Sequence, residues 1–251
     1  MHRREFIELM GGIGMSTMAA QGAARTRFYL MQTYYLKHGT QLARIHEYLG
    51  KTLIPWMNKS YAGPKIALEA LVATHTPQAV FISGHASVEE ALSLKDATAS
   101  KGFADWEAGP EAPYEHYTAA LLQATEYSPE VVVPADPPKK PRIFELRQYH
   151  SPTWKQLALL HERFAGPEIK IFHRSGVHPI LYTQTLLGPN MPNLTYLIPF
   201  DDLGAREKAW DAFGADPEWV KVRRESIERG GQIASVNQIS LFRASPYSPV
   251  R

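Results

Sequence analysis

The sequence predicts an α+β protein built from two related units, each running strand, helix, strand, strand, helix, strand. Two repeated segments indicate the duplication. FYLMQ at residues 28–32 is echoed by FELRQ at 144–148, and QLARIHE at 41–47 is echoed by QLALLHE at 156–162. The offsets of 116 and 115 residues differ by one, so the loops between the repeated elements have nearly equal lengths in both units.

A proline-rich segment, PADPPKKP at residues 134–141, separates the repeats. Proline fixes φ and lacks a backbone N–H, so four prolines in eight residues favour an extended linker. We therefore expect a first unit at 25–133 and a second at 142–251.

In the second unit, apolar Phe144 and Leu146 alternate with polar neighbours, as in a strand. Leu157, Leu160 and Phe164 then follow helical spacing. The patterns predict strands at 142–149, 177–186, 193–200 and 236–243, and helices at 153–174, 201–213 and 217–229.

The first unit repeats this order over its first two thirds. Ser87 with Glu90 three residues later forms a capping box, which predicts a helix start. We expect an otherwise irregular segment at 101–130, strands at 27–36, 65–75, 78–85 and near 119–126, and a long helix at 40–61.

Strand–helix–strand repeated in this way is the ferredoxin-like plan, in which helices cover one face of the sheet. Two such sheets bury their bare faces by packing together, which closes a barrel of roughly eight strands around a small cavity.

The second unit also resembles the NIPSNAP family of the dimeric α/β-barrel superfamily. The resemblance rests on FELRQY at 144–149, HRSG at 173–176, and Arg206 followed by DPEW at 216–219. It implies the same paired barrel but little about activity, since the superfamily also includes small monooxygenases, isomerases and haem enzymes.

The first 24 residues have the pattern of a signal peptide. Arg3 and Arg4 precede a short, weakly apolar run that ends in small residues, which resembles a twin-arginine signal. We expect export to a bacterial periplasm, with no membrane anchor in the mature chain.

Composition excludes several functional classes. The chain has no cysteine, so disulfides, thiolate nucleophiles and Cys-ligated metals are absent. A net charge of +2 over 251 residues predicts no nucleic-acid partner. Neither a phosphate-binding loop nor a serine-hydrolase motif occurs.

The candidate ligand site lies on the strand at 142–149. Glu145, Arg147 and Tyr149 share one face, and we expect them to point into the barrel and hold the polar end of a small organic ligand. The alternative is a Glu–Arg ion pair with a purely structural role.

His75 and His85, near the ends of adjacent predicted strands, are further candidates as ligands or general bases.

No metal site and no cofactor are predicted, although haem binding stays open. Four functions compete: ligand binding in the barrel, a cofactor-independent monooxygenase or isomerase that uses His75, His85 or Tyr149, haem binding, and an interaction module. Homo-oligomerisation also stays open.

Overall fold

The computed structural model describes residues 25–93, 98, 100–136 and 138–251. The predicted signal peptide at 1–24 lies outside these residues. No helix in the described ranges is both long and apolar enough to cross a bilayer.

Eight antiparallel strands close into one barrel, which confirms the predicted barrel of about eight strands. Every strand therefore has two neighbours, and no edge is left unpaired. The strands are β1 (Phe28–Tyr35), β2 (Lys65–Val72), β3 (Gln78–His85), β4 (His116–Ala124), β5 (Ile143–His150), β6 (Leu181–Leu187), β7 (Asn193–Phe200) and β8 (Val236–Ala244).

The strand order is the same in the two halves of the chain. It runs β4-β1-β3-β2 in the first half and β8-β5-β7-β6 in the second, and the halves meet where β2 pairs with β8 and β4 with β6. The register shifts at both junctions, between Ala70 and Val72 and between Leu121 and Leu122. Such irregularities bend strands and help a sheet to close.

Helices cover the outside of the barrel. They are α1 (Gln41–Glu47), α2 (Ile54–Met57), α3 (Val88–Leu92), α4 (Lys101–Glu107), α5 (Trp154–Arg163), α6 (Ile169–Arg174), α7 (Leu203–Ala215) and α8 (Pro217–Gly230). The helix predicted at 153–174 is interrupted by a π-helical turn at Phe164–Glu168, where Gly166 leaves helical geometry before Pro167. The helix predicted at 40–61 is likewise divided by a π-helical turn at Tyr48–Leu53.

Several predicted boundaries need correction. The segment at 101–130, expected to be largely irregular, contains α4 and a β4 strand that begins at His116. Strand β6 begins at Leu181, four residues later than predicted. The predicted helix start at Ser87 is confirmed, because its hydroxyl accepts a hydrogen bond from the backbone N–H of Glu90. The Glu90 carboxylate accepts from the backbone N–H of Ala86, one residue before the position that a capping box requires.

The core has three layers. Residues from all eight strands form one apolar cluster inside the barrel, and Val131 and Val250 join it. Two further clusters, rich in aromatic rings, lie outside the sheet under the helices of each half. The sheet is therefore buried on both faces. A polar side chain of a strand needs a hydrogen-bond partner on whichever face it occupies.

Candidate functional site

Strand β5 sends apolar side chains into the barrel. Phe144 and Leu146 belong to the interior cluster, and Gln148 follows them on the same face by the period of two. The interior is thus apolar along most of β5 and becomes polar toward His150.

A cavity of about 350 Å³ occupies the polar end of the barrel. Leu146 and Phe242 form part of its apolar wall. Its polar lining consists of amides and hydroxyls, among them Thr33, Gln78, Thr118, Gln148, Asn190 and Gln238. None of its lining residues in the described part of the chain is Asp, Glu, Lys or Arg.

A hydrogen-bond network holds Gln148 in place. Its Oε1 accepts from Asn190 Nδ2 at 2.9 Å, and its Nε2 donates to Thr195 Oγ1 at 3.2 Å. Asn190 adopts a positive φ of 64°, a conformation that asparagine tolerates better than most residues. The network therefore fixes two side-chain amides at the mouth of the barrel.

The predicted orientation of Glu145, Arg147 and Tyr149 is wrong. All three are buried, but they point outward beneath the helices of the second half and do not line the cavity. Phe144 and Leu146 pack in the barrel interior. The polar residues between them therefore point to the other face of β5, which the helices cover.

Under the helices, Glu145 is the acceptor for three donors. It binds Arg147 Nε, Arg206 Nε and the indole N–H of Trp210, the last at 3.0 Å. The Arg147 guanidinium lies 3.6 Å from the centre of a Trp210 ring and donates to the Tyr149 hydroxyl at 2.8 Å. The Glu–Arg ion pair foreseen as the alternative is thus present.

His75 and His85 are not brought together. Strands β2 and β3 are antiparallel, so their connecting loop holds His75 while His85 lies at the far end of β3. His75 Nε2 contacts the Leu36 carbonyl oxygen at 2.7 Å. The pKa of His85 is lowered by burial, and its Nε2 is 2.9 Å from the Ser83 hydroxyl. Neither histidine lines the cavity in the barrel.

At His161, the described residues fit haem poorly. Among them, His161 lies on a groove large enough for an extended planar molecule, about 520 Å³. Its Nδ1 is bonded to the Tyr127 hydroxyl at 2.7 Å, and its Nε2 is buried. Iron coordination through Nε2 would first require the Gln184 side chain, which interacts with the ring, to move aside.

The sequence patterns missed the residues that line the cavity and one repeated motif. Gln148 shares the period-two face of Phe144 and Leu146, a signal that was available. The motif is Tyr-Ser-Pro, at 127–129 and again at 247–249. Ser128 Oγ accepts from the backbone N–H of Tyr182, and Ser248 Oγ from that of Ala67, both at 3.0 Å.

Comparison with solved structures supports the barrel architecture. A candidate monooxygenase of Fusobacterium nucleatum is 9% identical, covers 88% of this chain and 93% of its own, and has a TM-score of 0.58. An anthrone oxidase-like protein is 10% identical, with coverages of 88% and 92% and a TM-score of 0.56. A chlorite dismutase variant from Candidatus Nitrospira defluvii is 11% identical, with coverages of 89% and 92% and a TM-score of 0.54. At such identities the likeness concerns the fold alone.

None of the curated proteins compared with the chain matches it. The family model of NIPSNAP matches residues 144–249, less than half of the chain. This segment begins at the first residue of the FELRQY motif and includes the DPEW motif at 216–219. The second half of the chain therefore carries a NIPSNAP domain.

Proposed function

We propose that the protein binds a small, neutral organic molecule in the open end of its barrel. The observation that carries this proposal is the cavity of about 350 Å³, which lies within the size range of small-molecule sites. If the barrel served only as an interaction module, we would expect its own side chains to fill this space.

The lining indicates the chemistry of the ligand. Amides and hydroxyls offer both hydrogen-bond donors and acceptors, whereas a charged ligand would lose its hydration without gaining an opposite charge. The ligand is therefore neutral, with an apolar body against Leu146 and Phe242 and one or more hydroxyl or carbonyl groups near Gln148 and Asn190.

The proposed domain organisation is two NIPSNAP-type ferredoxin-like units at 25–133 and 142–251, with their sheets facing and 134–141 as the linker. Three features support it: the strand order common to both halves, the repeated helix motif, and the Tyr-Ser-Pro motif after each last strand. In each case the serine bonds to the second strand of the other half.

The rival function is a cofactor-independent monooxygenase or isomerase. Its residue candidates were His75, His85 and Tyr149, and none of them reaches the cavity. The similarity of fold to a candidate monooxygenase leaves this alternative open but supplies no catalytic group.

Native mass spectrometry of protein isolated from its own cells tests the barrel site. We expect the parent to carry a bound small molecule and Thr118→Leu to lose it, because the larger side chain occupies the cavity. Ala119→Leu is the matched control, since Ala119 is the exposed neighbour on β4 that faces away. A parent without any bound mass, or a Thr118→Leu variant that keeps it, contradicts the proposal.

We further propose that residues 1–24 direct export through the twin-arginine route. Replacing Arg3 and Arg4 together by Lys is expected to leave uncut precursor in the cytoplasm, as seen by immunoblotting of cell fractions. The double replacement keeps the charge, so only recognition of the arginine pair is tested. Normal delivery of the variant to the periplasm would show that the pair is incidental.

A further inference from the structure

A second concave site lies outside the barrel, between the end of β4, strand β6 and helix α5. It is the groove of about 520 Å³ beside His161. Ala158, His161, Glu162 and Ala165 follow the spacing i, i+3, i+4, i+7, so one stripe of α5 and of the π-helical turn after it forms a wall of the groove. The two alanines on this stripe leave space that longer side chains would fill.

At the base of the groove, Tyr127 and His161 form a polar pair that joins the two halves of the chain. The Tyr127 hydroxyl is 2.7 Å from His161 Nδ1. Burial lowers the pKa of His161, so the ring is neutral near pH 7. Its Nε2 is buried, and the Gln184 side-chain amide interacts with the ring and opposes the effect of burial on the pKa.

The first half contains the corresponding Tyr–His pair, and there both ring nitrogens of the histidine have hydrogen-bond partners. His46, which occupies the same position in the repeated helix motif, bonds through Nδ1 to the Tyr247 hydroxyl at 2.8 Å. Its Nε2 bonds to Glu69 at 3.1 Å. The Tyr247 ring also packs so closely on Gly50 that an added Cβ would come within 2.9 Å of it.

The two halves differ at two positions of this arrangement. With the 115-residue offset, Glu69 corresponds to Gln184 and Gly50 to Ala165. Gln184 Nε2 donates to Gln123 at 3.1 Å, and Gln184 offers His161 a neutral amide where Glu69 offers His46 a carboxylate. Tyr127 lies nearly parallel to the Phe164 ring, and the groove beside it is open.

The lining restricts the class of ligand. Glu126 and Glu162 are the charged residues of the groove, and they pair with Arg27 and Arg229. No Lys or Arg is among its described lining residues, so an anionic ligand would meet only carboxylates. The alanines and the rings of Tyr127 and His161 favour a flat apolar body.

We propose that this groove is a second ligand site, distinct from the barrel mouth, for a neutral aromatic molecule that carries a hydroxyl or carbonyl group. The ring system lies on Ala158 and Ala165, and the polar group bonds to His161 Nε2 when the Gln184 side chain moves aside. The ligand thereby supplies the hydrogen bond that Glu69 supplies to His46 in the first half.

Isothermal titration of the full chain with 1-naphthol tests the proposal. Ala158→Leu, which fills the groove from an exposed helical position, is expected to weaken 1-naphthol binding at least tenfold. Ala43→Leu is the matched control, because Ala43 is exposed at the corresponding position of α1. It is expected to bind 1-naphthol as the parent does.

A second variant tests the role of His161 without changing the shape of the groove. Gln184→Glu installs the carboxylate found at position 69, so it is expected to occupy Nε2 and to weaken 1-naphthol binding by a similar factor. Parent-like binding by Ala158→Leu, or no binding by the parent, overturns the proposal.

Thr118→Leu separates the two sites, because it fills the barrel cavity and lies outside the groove. Binding of 1-naphthol that survives Thr118→Leu and is lost in Ala158→Leu belongs to the groove. If Thr118→Leu abolishes binding while Ala158→Leu preserves it, 1-naphthol occupies the barrel. The groove proposal then fails while the proposed function is supported.

Discussion

Glu145→Ala is expected to lower the free energy of unfolding by about 3–5 kcal/mol, the usual cost of breaking a buried ion pair from one side. Glu145 is fully buried and accepts hydrogen bonds from Arg147, Arg206 and Trp210. Removing it leaves the Arg147 guanidinium, 8% exposed, without its carboxylate. The change is measured by urea denaturation of the parent and the variant.

The matched control is Glu207→Ala, which removes an exposed carboxylate from α7, beside Arg206. We expect it to change stability by no more than about 0.5 kcal/mol. A double variant, Glu145→Leu with Arg147→Met, should recover only part of the loss, because it removes the buried pair but leaves Arg206 and the Trp210 indole N–H without their acceptor. A loss below about 1 kcal/mol in Glu145→Ala would mean that the pair is not closed to water.

The position of strand β5 could be predicted from sequence, but its orientation could not. Alternation of apolar and polar residues shows that a segment is a strand. It shows which side chains face the core only when one face of the strand is exposed to water. Both faces of β5 are buried here. The partners that make the outer face suitable for Glu145 are Arg206 and Trp210, more than sixty residues away.

The lining of the cavity could not be predicted from local sequence patterns, because it comes from segments that are distant in the chain. Asn190 reaches Gln148 from the loop between β6 and β7, and Gln78 comes from the other half of the chain. The separation of His75 from His85 likewise follows from antiparallel pairing. The duplication was visible in the helix motif, whereas the short Tyr-Ser-Pro repeat becomes informative only when its cross-half hydrogen bonds are known.

The stability of the protein is expected to fall by about 3 kcal/mol between pH 4.5 and pH 7 through Glu168 alone. Burial raises the pKa of this carboxyl from 4.5 to about 7, although Arg163 lies 2.7 Å away and opposes the shift. In this pH window the folded state holds a proton that the unfolded state has released. Raising the pH therefore favours unfolding until Glu168 is ionised in both states.

Glu168→Gln removes this contribution, because the amide does not titrate. The measurement is the free energy of unfolding of the parent minus that of the variant, determined by urea denaturation at intervals from pH 4.5 to pH 8. The difference should fall by about 3 kcal/mol up to pH 7 and then level off. Glu162→Gln, which removes an exposed carboxylate from α5, is the matched control. A difference that stays flat or rises slightly over this pH range would mean that Arg163 stabilises the charged carboxylate more than burial disfavours it, and the buried Glu168 would then be ionised throughout the neutral range.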